Sequence, residues 1–356
     1  MKKYFHGFVW MIIPVLALCL CGCGRGSVRK LQSVDTAMGT VIQQTLFVTG
    51  EGTQTEDILA LIRELEEKTL SWRLETAELY QVNQYAGSGE GLELSEELSR
   101  TLEQCLELTE NSDGAFDVTL GPVARLWDID SWAAGVRTGS FQVPEAQALE
   151  QALERCGSER LMLQFFPEEE RAILYLEEGA AMDLGAVGKG LALDGIFRYL
   201  EADAHVTGAV VSVGGSVLTY GKKPDGTAWR VGIADPQNPS VNLGVLTLSG
   251  QFYISTSGDY ERYVESGGVR YHHILDPATG YPADSGLSSV TVIASNGLLS
   301  DGLSTACFVL GRERGMLLAQ QYGAEALFVE KDGGIFMTPG MDALFQFVTE
   351  TAVNRE

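Results

Sequence analysis

Hydrophobic positions change their period along the chain, and these changes outline the first predicted elements. Apolar and β-branched residues make up most of 41–48, which predicts a strand. Between 58 and 65 the apolar residues instead recur on one helical face, which predicts a helix. Thr53 and Glu56 have the spacing of a capping box at the start of that helix. The chain therefore opens with a strand followed by a helix.

The rest of the chain continues with helices and then turns mainly to strands. The pattern predicts helices within 71–83 and at 95–111, 144–157 and 191–202, and short strands at 161–165, 172–176 and 181–184. Beyond 208 it predicts strands at 209–213, 217–220, 229–233, 245–248, 252–255, 260–264, 269–274 and 287–293, then helices at 300–310 and 312–322 and a last strand pair around 332–334. Helices grouped before strands predict an α+β fold with mixed or antiparallel sheets and packed helices. No Pro- or Ser-rich linker divides the chain, so we expect one compact unit with two lobes.

The N-terminus follows a different pattern from the body of the chain. Lys2 and Lys3 precede a short apolar run at 8–20, which suits the core of a signal peptide better than a bilayer span. An uncleaved anchor helix is the alternative, and Pro14 within the run argues against it. Both interpretations place the body of the protein outside the cytoplasm and hold it at the cell membrane.

The residues that close this run, Leu20-Cys-Gly-Cys23, resemble the lipobox of bacterial lipoproteins. The resemblance implies that 1–22 is a lipoprotein signal peptide and that Cys23 becomes the lipidated first residue of the mature chain. We expect 23–34 to be a polar tether and 35–350 to form the single folded domain.

Composition narrows the classes of partner. The chain has 356 residues, of which 45% are hydrophobic, and a formal net charge of −23. So acidic a body disfavours binding to nucleic acid or electrostatic docking on a membrane, and a phosphorylated substrate would need a metal or a few lysines beside it. Cys105, Cys156 and Cys307 show neither a zinc nor a disulfide spacing, so we expect buried free thiols.

A glycine-rich loop, Gly185-Ala-Val-Gly-Lys-Gly190, lies between a predicted strand and a predicted helix. Main-chain N–H groups at a helix start attract phosphate, and Lys189 could reach a second phosphate. The spacing is neither Walker A nor GxGxxG, so a plain tight turn is an equally good interpretation. At Gly214-Gly215 the backbone could again approach a ligand closely, and a plain tight turn is again an equally good interpretation.

Asp301 and Thr305 stand four residues apart on a predicted helix, and their oxygens are ligands of the kind that Mg²⁺ takes. Residues of these types are also common for helix electrostatics and packing. His272 and His273 are adjacent in a predicted strand, so their rings should point to opposite faces and at most one should enter a site. The chain has no GxSxG and no His-x-x-x-His, and neither a serine hydrolase nor a zinc enzyme is supported.

Several motifs in one fixed order resemble those of the ApbE-type family of FAD:protein FMN transferases, and they span nearly the whole mature chain. They are Met38-Gly-Thr40, Ser71 with Glu78 and Asn83, Ser112-x-Gly-Ala-Phe-Asp117 with Gly121-Pro122 and Trp127, Asp183 to Gly190 with Asp194, Gly214-Gly215, Thr256-Ser-Gly-Asp-Tyr260, His273 to Pro277 with Gly280-Tyr-Pro282, and Asp301 to Thr305. The resemblance implies a Mg²⁺-dependent enzyme that uses FAD as substrate. It would move FMN onto a threonine or serine hydroxyl of an extracytoplasmic acceptor protein and release AMP.

Carried over residue by residue, the resemblance also implies a site. The residues that would line FAD are Met38, Ala115, Phe116, Asp117, Asp183, Lys189 and Ile274. Mg²⁺ would bind Asp301, Thr305 and the main-chain carbonyl of Ala186. His273 is the preferred base for the acceptor hydroxyl, and Asp259 is the second choice.

The chain departs from the family pattern beside Ser71. Ala77 replaces the serine that usually precedes Glu78, and Arg73 stands where an aromatic residue is frequent. Trp72 in a shifted pose, or Arg73 itself, would then make the stacking contact with the flavin or the adenine.

Two other functions remain open at this point. The same residues could run a Mg²⁺-dependent FAD pyrophosphatase, in which water replaces the acceptor hydroxyl and the products are FMN and AMP. A non-catalytic FAD-binding lipoprotein is a further possibility, although the Asp301–Thr305 pair and His273 weigh against it.

Overall fold

The computed structural model describes residues 27–169 and 171–348. Its helices are α1 (Gln54–Leu65), α2 (Glu78–Tyr85), α3 (Glu96–Asn111), α4 (Gly121–Trp127), α5 (Ile129–Ala133), α6 (Ala146–Leu153), α7 (Gly188–Ala202), α8 (Gly297–Gln321) and α9 (Pro339–Leu344). Its strands are β1 (Val28–Ala37), β2 (Thr40–Thr49), β3 (Leu92–Leu94), β4 (Leu161–Phe166), β5 (Arg171–Leu176), β6 (Val206–Val213), β7 (Ser216–Gly221), β8 (Trp229–Asp235), β9 (Asn238–Leu248), β10 (Phe252–Gly258), β11 (Tyr263–Ser266), β12 (Val269–His272), β13 (Leu287–Ala294), β14 (Glu325–Glu330), β15 (Ile335–Met337) and β16 (Phe345–Phe347).

The central element is a sheet of eight strands in the order β1-β2-β6-β7-β10-β13-β14-β15, with each neighbouring pair antiparallel. Side chains alternate between its faces, so Tyr253 enters the main core whereas Ile254 enters a second one. Helices α1, α7 and α8 cover the first face. A three-stranded sheet, β16-β9-β8, covers the second. This confirms the predicted α+β class with antiparallel sheets.

Helix α8 is fixed at its N-terminus by two side chains. Asn296 caps it by accepting a hydrogen bond from the N–H of Leu299, as Asn does at many N-caps. Asp194 of α7 accepts from the N–H groups of Gly297 (2.7 Å) and Leu298 (2.9 Å). The start of α8 is therefore held against α7.

The helices expected at 300–310 and 312–322 are the two halves of α8. Gly311, with φ +77°, breaks the helical geometry between them. A left-handed φ of this kind favours glycine, which explains why the sequence pattern marks the break.

A smaller lobe is built on the sheet β3-β5-β4, against which α2 and α3 pack. Beside it, Trp127 is buried among residues of α4, α6 and the intervening loop, including Phe141 and Leu149. The indole N–H of Trp127 donates to the carbonyl of Gly280 (2.7 Å), which joins this lobe to the turn after His273.

The expected tether overlaps a strand, and that prediction is wrong from Val28 onward. β1 pairs with β2 along its whole length, from Val28 opposite Thr49 to Ala37 opposite Thr40. Because β1 is an edge strand whose side chains are mostly exposed, its sequence lacks the apolar alternation that marks a strand. The expected signal peptide 1–22, Cys23 and the last two residues of the expected domain lie outside the described residues.

Three local predictions are also wrong. Residues 181–184 form no strand, and Ala181 makes only a single bridge to Leu120. The strand expected at 260–264 begins only at Tyr263, because a turn precedes it, whereas the strand expected at 269–274 forms as β12 over Val269–His272 and pairs with β11. Thr53 precedes α1, but its hydroxyl donates to the carboxylate of Asp57 (3.1 Å), so the expected capping box does not form.

Cys105, Cys156 and Cys307 are buried and free, as expected from their spacing. Within 27–169 and 171–348, no helix combines the length and the apolar character that crossing a bilayer requires.

Candidate active site

A cleft opens at the start of α7, between the two lobes and beside the loop that carries His273. Its walls are residues drawn from the segments 72–73, 115–130, 183–189, 256–262 and 273–275, together with Thr305. Motifs that are far apart in the chain thus meet around one space.

Asp301 is buried at the base of this cleft, in the second turn of α8. Its Oδ2 accepts from the main-chain N–H of Gly190 (2.9 Å) and its Oδ1 from the hydroxyl of Ser216 (3.2 Å). α7 and α8 can approach each other this closely only because Gly190 has no side chain. A Cβ on Gly190 would lie 2.1 Å from the carbonyl oxygen of Gly297. Gly190 therefore serves the packing of α7 on α8 and the binding of Asp301.

A row of buried hydroxyls joins β10 to the same face of α8. Ser255 bonds Ser300 (2.8 Å), and Ser257 bonds Ser304 (2.8 Å) and Thr305 (3.2 Å). These hydrogen bonds fix the rotation of α8 relative to the sheet. Thr305 is thereby held with its hydroxyl toward the cleft, which it lines.

Lys189 points back from the first turn of α7 toward this base. Its Nζ lies 3.7 Å from Oδ1 of Asp301, and its side chain is only 12% exposed. Glu261 lines the cleft nearby, and burial raises the pKa of its carboxyl group while the charges of Lys189 and Arg262 lower it. The base of the cleft thus holds one ammonium and two carboxylates.

The two adjacent histidines lie in different surroundings. His273 lines the cleft, whereas His272 is buried against Phe308 with its Nε2 3.1 Å from the carbonyl of Ala283. Burial lowers the pKa of His272 to about 4. The expectation that only one ring would face the site is confirmed.

His273 is oriented by the carbonyl of Arg262, which accepts from its main-chain N–H (3.1 Å) and lies 3.2 Å from its Nδ1. A carbonyl can only accept, so Nδ1 carries the proton and Nε2 keeps its lone pair. Burial and the charges of Arg262 and Lys189 hold the pKa of His273 well below its usual value, which keeps the ring neutral. His273 therefore presents a basic nitrogen in the cleft.

The loop 112–117 forms another side of the cleft. The hydroxyl of Ser112 accepts from the N–H of Phe116 (3.1 Å), and Asp113 takes a left-handed φ of +52°. Asp117 accepts from both the N–H and the hydroxyl of Thr119 (2.7 Å each). On the facing segment, Asp183 accepts from the N–H of Gly185 (2.8 Å), and burial raises the pKa of both carboxyl groups.

The remaining side of the cleft is formed by Trp72 and arginines. The guanidinium of Arg73 stacks 3.9 Å from the centre of the Trp72 ring, and that of Arg125 lies 5.1 Å from it. Arg73 also pairs with Asp128 (3.2 Å), which Arg137 pairs from another direction. Trp72 thus lies against two exposed arginines, while Asp128 beside them is buried.

Most residues that the resemblance implies come together in this cleft. The lining includes Trp72, Arg73, Ala115, Phe116, Asp117, Asp183, Ala186, Lys189, His273, Ile274 and Thr305. Asp301 lies just beneath, behind Lys189. What each of them binds stays a prediction.

Two implied residues are not part of the lining. Met38 has a left-handed φ of +51°, donates its N–H to Glu66 (2.9 Å) and packs near Gly188. Asp259 lies toward Arg270, with 3.7 Å between carboxylate and guanidinium, and burial raises the pKa of its carboxyl group. His273 is consequently the better-placed base.

Sequence reasoning did not select several residues that line the cleft, among them Glu261, Arg262, Asp128 and Asp130. Glu261 and Arg262 directly follow the Thr256 to Tyr260 motif, and that adjacency was an available signal. For Asp128 and Asp130 no local pattern pointed to the cleft.

The oxygens at this base suit a hard cation such as the Mg²⁺ that the resemblance implies. Asp301 offers a carboxylate, Thr305 a hydroxyl one turn later, and Ala186 a main-chain carbonyl at the cleft. No group of three or more His, Cys, Asp or Glu side chains that could hold a metal occurs in the described part of the chain. Mg²⁺ commonly combines one or two carboxylates with substrate phosphates and water, so this donor set fits it.

Known proteins resemble this chain in both sequence and architecture. A model of the ApbE family matches residues 38–328. A protein of Treponema pallidum named FAD:protein FMN transferase is 33% identical over 94% of each chain.

Two solved structures superpose on most of the fold. The ApbE protein of Thermotoga maritima has a TM-score of 0.76 at 31% identity, covering 89% of this chain and 99% of its own. The apo form of the flavinyl transferase ApbE from Pseudomonas stutzeri has a TM-score of 0.75 at 30% identity, covering 89% and 97%.

Proposed function

The chain belongs to the ApbE family and is a flavin transferase, and we propose that it moves FMN from FAD to a threonine or serine hydroxyl of an acceptor protein, using Mg²⁺ and releasing AMP. The observation that carries this proposal is the meeting of Lys189, Asp301 and Thr305 with the neutral ring of His273 around one cleft. These groups are what a displacement at a pyrophosphate requires.

In the proposed reaction the acceptor oxygen attacks the phosphorus atom on the FMN side of the pyrophosphate. A new P–O bond joins FMN to the acceptor as the bond from that phosphorus to the bridging oxygen breaks. AMP leaves with the bridging oxygen and the electron pair of the broken bond. The proton of the acceptor hydroxyl passes to Nε2 of His273, which is free because Nδ1 is held by the carbonyl of Arg262.

Lys189 and a cation bound at the base of the cleft would offset the negative charge of the pyrophosphate. Lys189 would contact a phosphate oxygen, and its position beside Asp301 keeps its ammonium at the base of the cleft. Asp301, Thr305 and the carbonyl of Ala186 would hold Mg²⁺, which neutralises charge on the phosphates and on the departing AMP. Leu120, Phe116 and Ile274 add apolar surface to the cleft, suited to a flavin or an adenine.

The test is to incubate the purified protein with FAD, Mg²⁺ and a candidate extracytoplasmic redox protein that has an exposed threonine or serine. We expect the acceptor to gain the mass of FMN in a form that survives acid denaturation, together with one AMP per flavin. Free FMN with AMP and no labelled acceptor would instead identify a pyrophosphatase. Bound FAD without any product would identify a flavin-binding protein.

We also propose that the protein is lipid-anchored at Cys23 and faces outside the cytoplasm. The proposal rests on the charged, apolar and small-residue order at 1–23. Cells fed an alkyne fatty acid should label the full chain, and Cys23→Ala should remove the label and release the protein from the membrane fraction. Label that persists in Cys23→Ala would contradict the anchor.

A further inference from the structure

Glu261 is a carboxylate at the base of the cleft with no role in the reaction described so far. Its side chain makes no hydrogen bond, and no Lys, Arg or His forms an ion pair with it, among the residues that the structure describes. A carboxylate taken out of water is costly unless it is paired, coordinates a metal ion or takes up a proton.

The chain leaves room for this carboxylate. A Cβ on Gly215 would lie 2.5 Å from Oε1 of Glu261 and 3.1 Å from the carbonyl oxygen of Thr256. The glycine at 215, which the sequence marks without deciding its purpose, therefore accommodates Glu261. The carboxylate is seated against backbone rather than free to turn toward solvent.

The charges around Glu261 indicate what its partner is. Glu261 and Lys189 line the same cleft, and the ammonium of Lys189 lies 3.7 Å from the carboxylate of Asp301, so both carboxylates lie at the base of this cleft. Two carboxylates beside a pyrophosphate would repel both each other and the substrate. A divalent cation between them removes both repulsions. Lys189 alone does not balance two carboxylates, because the guanidinium of Arg262 is already paired with Asp130 at 2.9 Å.

We propose that Glu261 is a further acidic member of the cation site, acting on the bound divalent ion together with Asp301. This inference rests on the Mg²⁺-dependent function proposed above. It assigns to the cation two carboxylates from different elements, Asp301 from α8 and Glu261 from the turn after β10. The site then matches the usual number of carboxylates for Mg²⁺.

The test measures binding of Mn²⁺, a paramagnetic substitute for Mg²⁺, by the loss of the free-ion signal in electron paramagnetic resonance, with AMP present and no acceptor. Glu261→Gln should weaken Mn²⁺ binding by about 10- to 100-fold. Glu265→Gln makes the same change at an exposed position four residues later and should leave the affinity unchanged. Glu261→Asp keeps the charge but shortens the side chain, and it should bind Mn²⁺ more tightly than Glu261→Gln.

FAD binding in EDTA, followed by flavin fluorescence, controls for folding and for contacts with the substrate. If Glu261→Gln binds FAD in EDTA as the unsubstituted protein does, and only Mn²⁺ affinity falls, the assignment is supported. Unchanged Mn²⁺ affinity in Glu261→Gln, or an equal loss of FAD binding in EDTA, would overturn it. The measurement needs no transfer, so a protein that binds Mn²⁺ through Glu261 but labels no acceptor would refute the proposed function alone.

Discussion

The wall of the cleft that α7, α8 and β10 supply consists of buried groups that contact one another, whereas the wall around Trp72 consists of stacked side chains among which Arg73 is exposed. We call the first the helix wall (Lys189, Ser257, Asp301 and Thr305) and the second the arginine wall (Trp72, Arg73 and Asp128). Asp301 is 2% exposed, while the side chain of Arg73 is 43% exposed. Water reaches and screens the guanidinium of Arg73, although Asp128 on the same wall is 9% exposed, whereas it is excluded from Asp301 on the helix wall.

This difference suggests a division of work between chemistry and substrate affinity. Preorganised charge is most effective where it is buried and cannot rearrange, which describes the helix wall. Stacking on an aromatic ring tolerates small shifts and adds affinity without strict geometry, which describes the arginine wall. Substitutions on the two walls should therefore have different kinetic signatures.

The largest effect is expected from Asp301→Ala on the helix wall. It removes a proposed cation ligand and leaves the N–H of Gly190 without its acceptor, so we expect transfer to fall by about 100-fold or more. Formation of labelled acceptor per minute at saturating FAD and Mg²⁺ measures it. Asp342→Ala, an exposed change on α9, is the control. Wild-type transfer by Asp301→Ala in chelated buffer would show that the metal assignment is wrong.

The next effect is expected from His273→Ala, which removes the proposed base. We expect kcat to fall by about 100-fold, with FAD affinity nearly kept. Because the pKa of His273 lies well below its usual value, the ring stays neutral through pH 6.5, and kcat of the unsubstituted protein should not decline on that account until the pH is lower. A pH–rate profile with a histidine-dependent decline centred above pH 6.5 would argue against His273 as the base.

A smaller effect of a different kind is expected from Arg73→Gln on the arginine wall. It removes the stacking on Trp72 and the pair with Asp128, both partly exposed, so the KM for FAD should rise by roughly 3- to 10-fold while kcat changes little. Steady-state kinetics with varied FAD separates the two constants. A fall in kcat as large as that of Asp301→Ala would contradict the proposed difference between the two walls.

The smallest effect on transfer is expected from His272→Gln, one residue from the proposed base. His272 faces the core, so transfer should stay near that of the unsubstituted protein. Its folded pKa of about 4 lies below the unfolded value, so the stability that its neutral form contributes is present above pH 6.5 and is lost as the pH falls toward 4.

That loss amounts to about 3 kcal/mol between pH 6.5 and 4, and the substitution should remove it. The measurement is the Tm of both proteins across this pH range, compared as a difference so that other titrating groups cancel. Equal pH dependence of Tm in both proteins would show that His272 does not titrate as the structure implies.

The sequence pointed to residues of the helix wall more readily than to the residues that hold them in place. Asp301 and Thr305 could be selected because a four-residue spacing on one helix is visible in a local pattern. The hydroxyl of Ser216, which donates to Asp301, is 85 residues away, and such pairing appears only after folding. β1 was missed for a related reason, since an exposed edge strand carries no apolar alternation. Glu261 was missed because a single acidic residue in a turn resembles any solvated one.

The contact between Gly190 and Gly297 has a consequence for the size of ion that the proposed cation site would accept. Two helices that touch through main-chain atoms are already at their closest distance, and no exchange of side chains at these positions can bring them nearer. This contact fixes how closely the start of α7 approaches the proposed ligands Asp301 and Thr305 of α8. Ca²⁺ needs longer bonds and more ligands than Mg²⁺, so accommodating it would require the loops that carry Ala186 and Glu261 to move away from α8. Laboratory evolution toward a larger ion should therefore change the loops around Ala186 and Glu261 and leave both glycines in place.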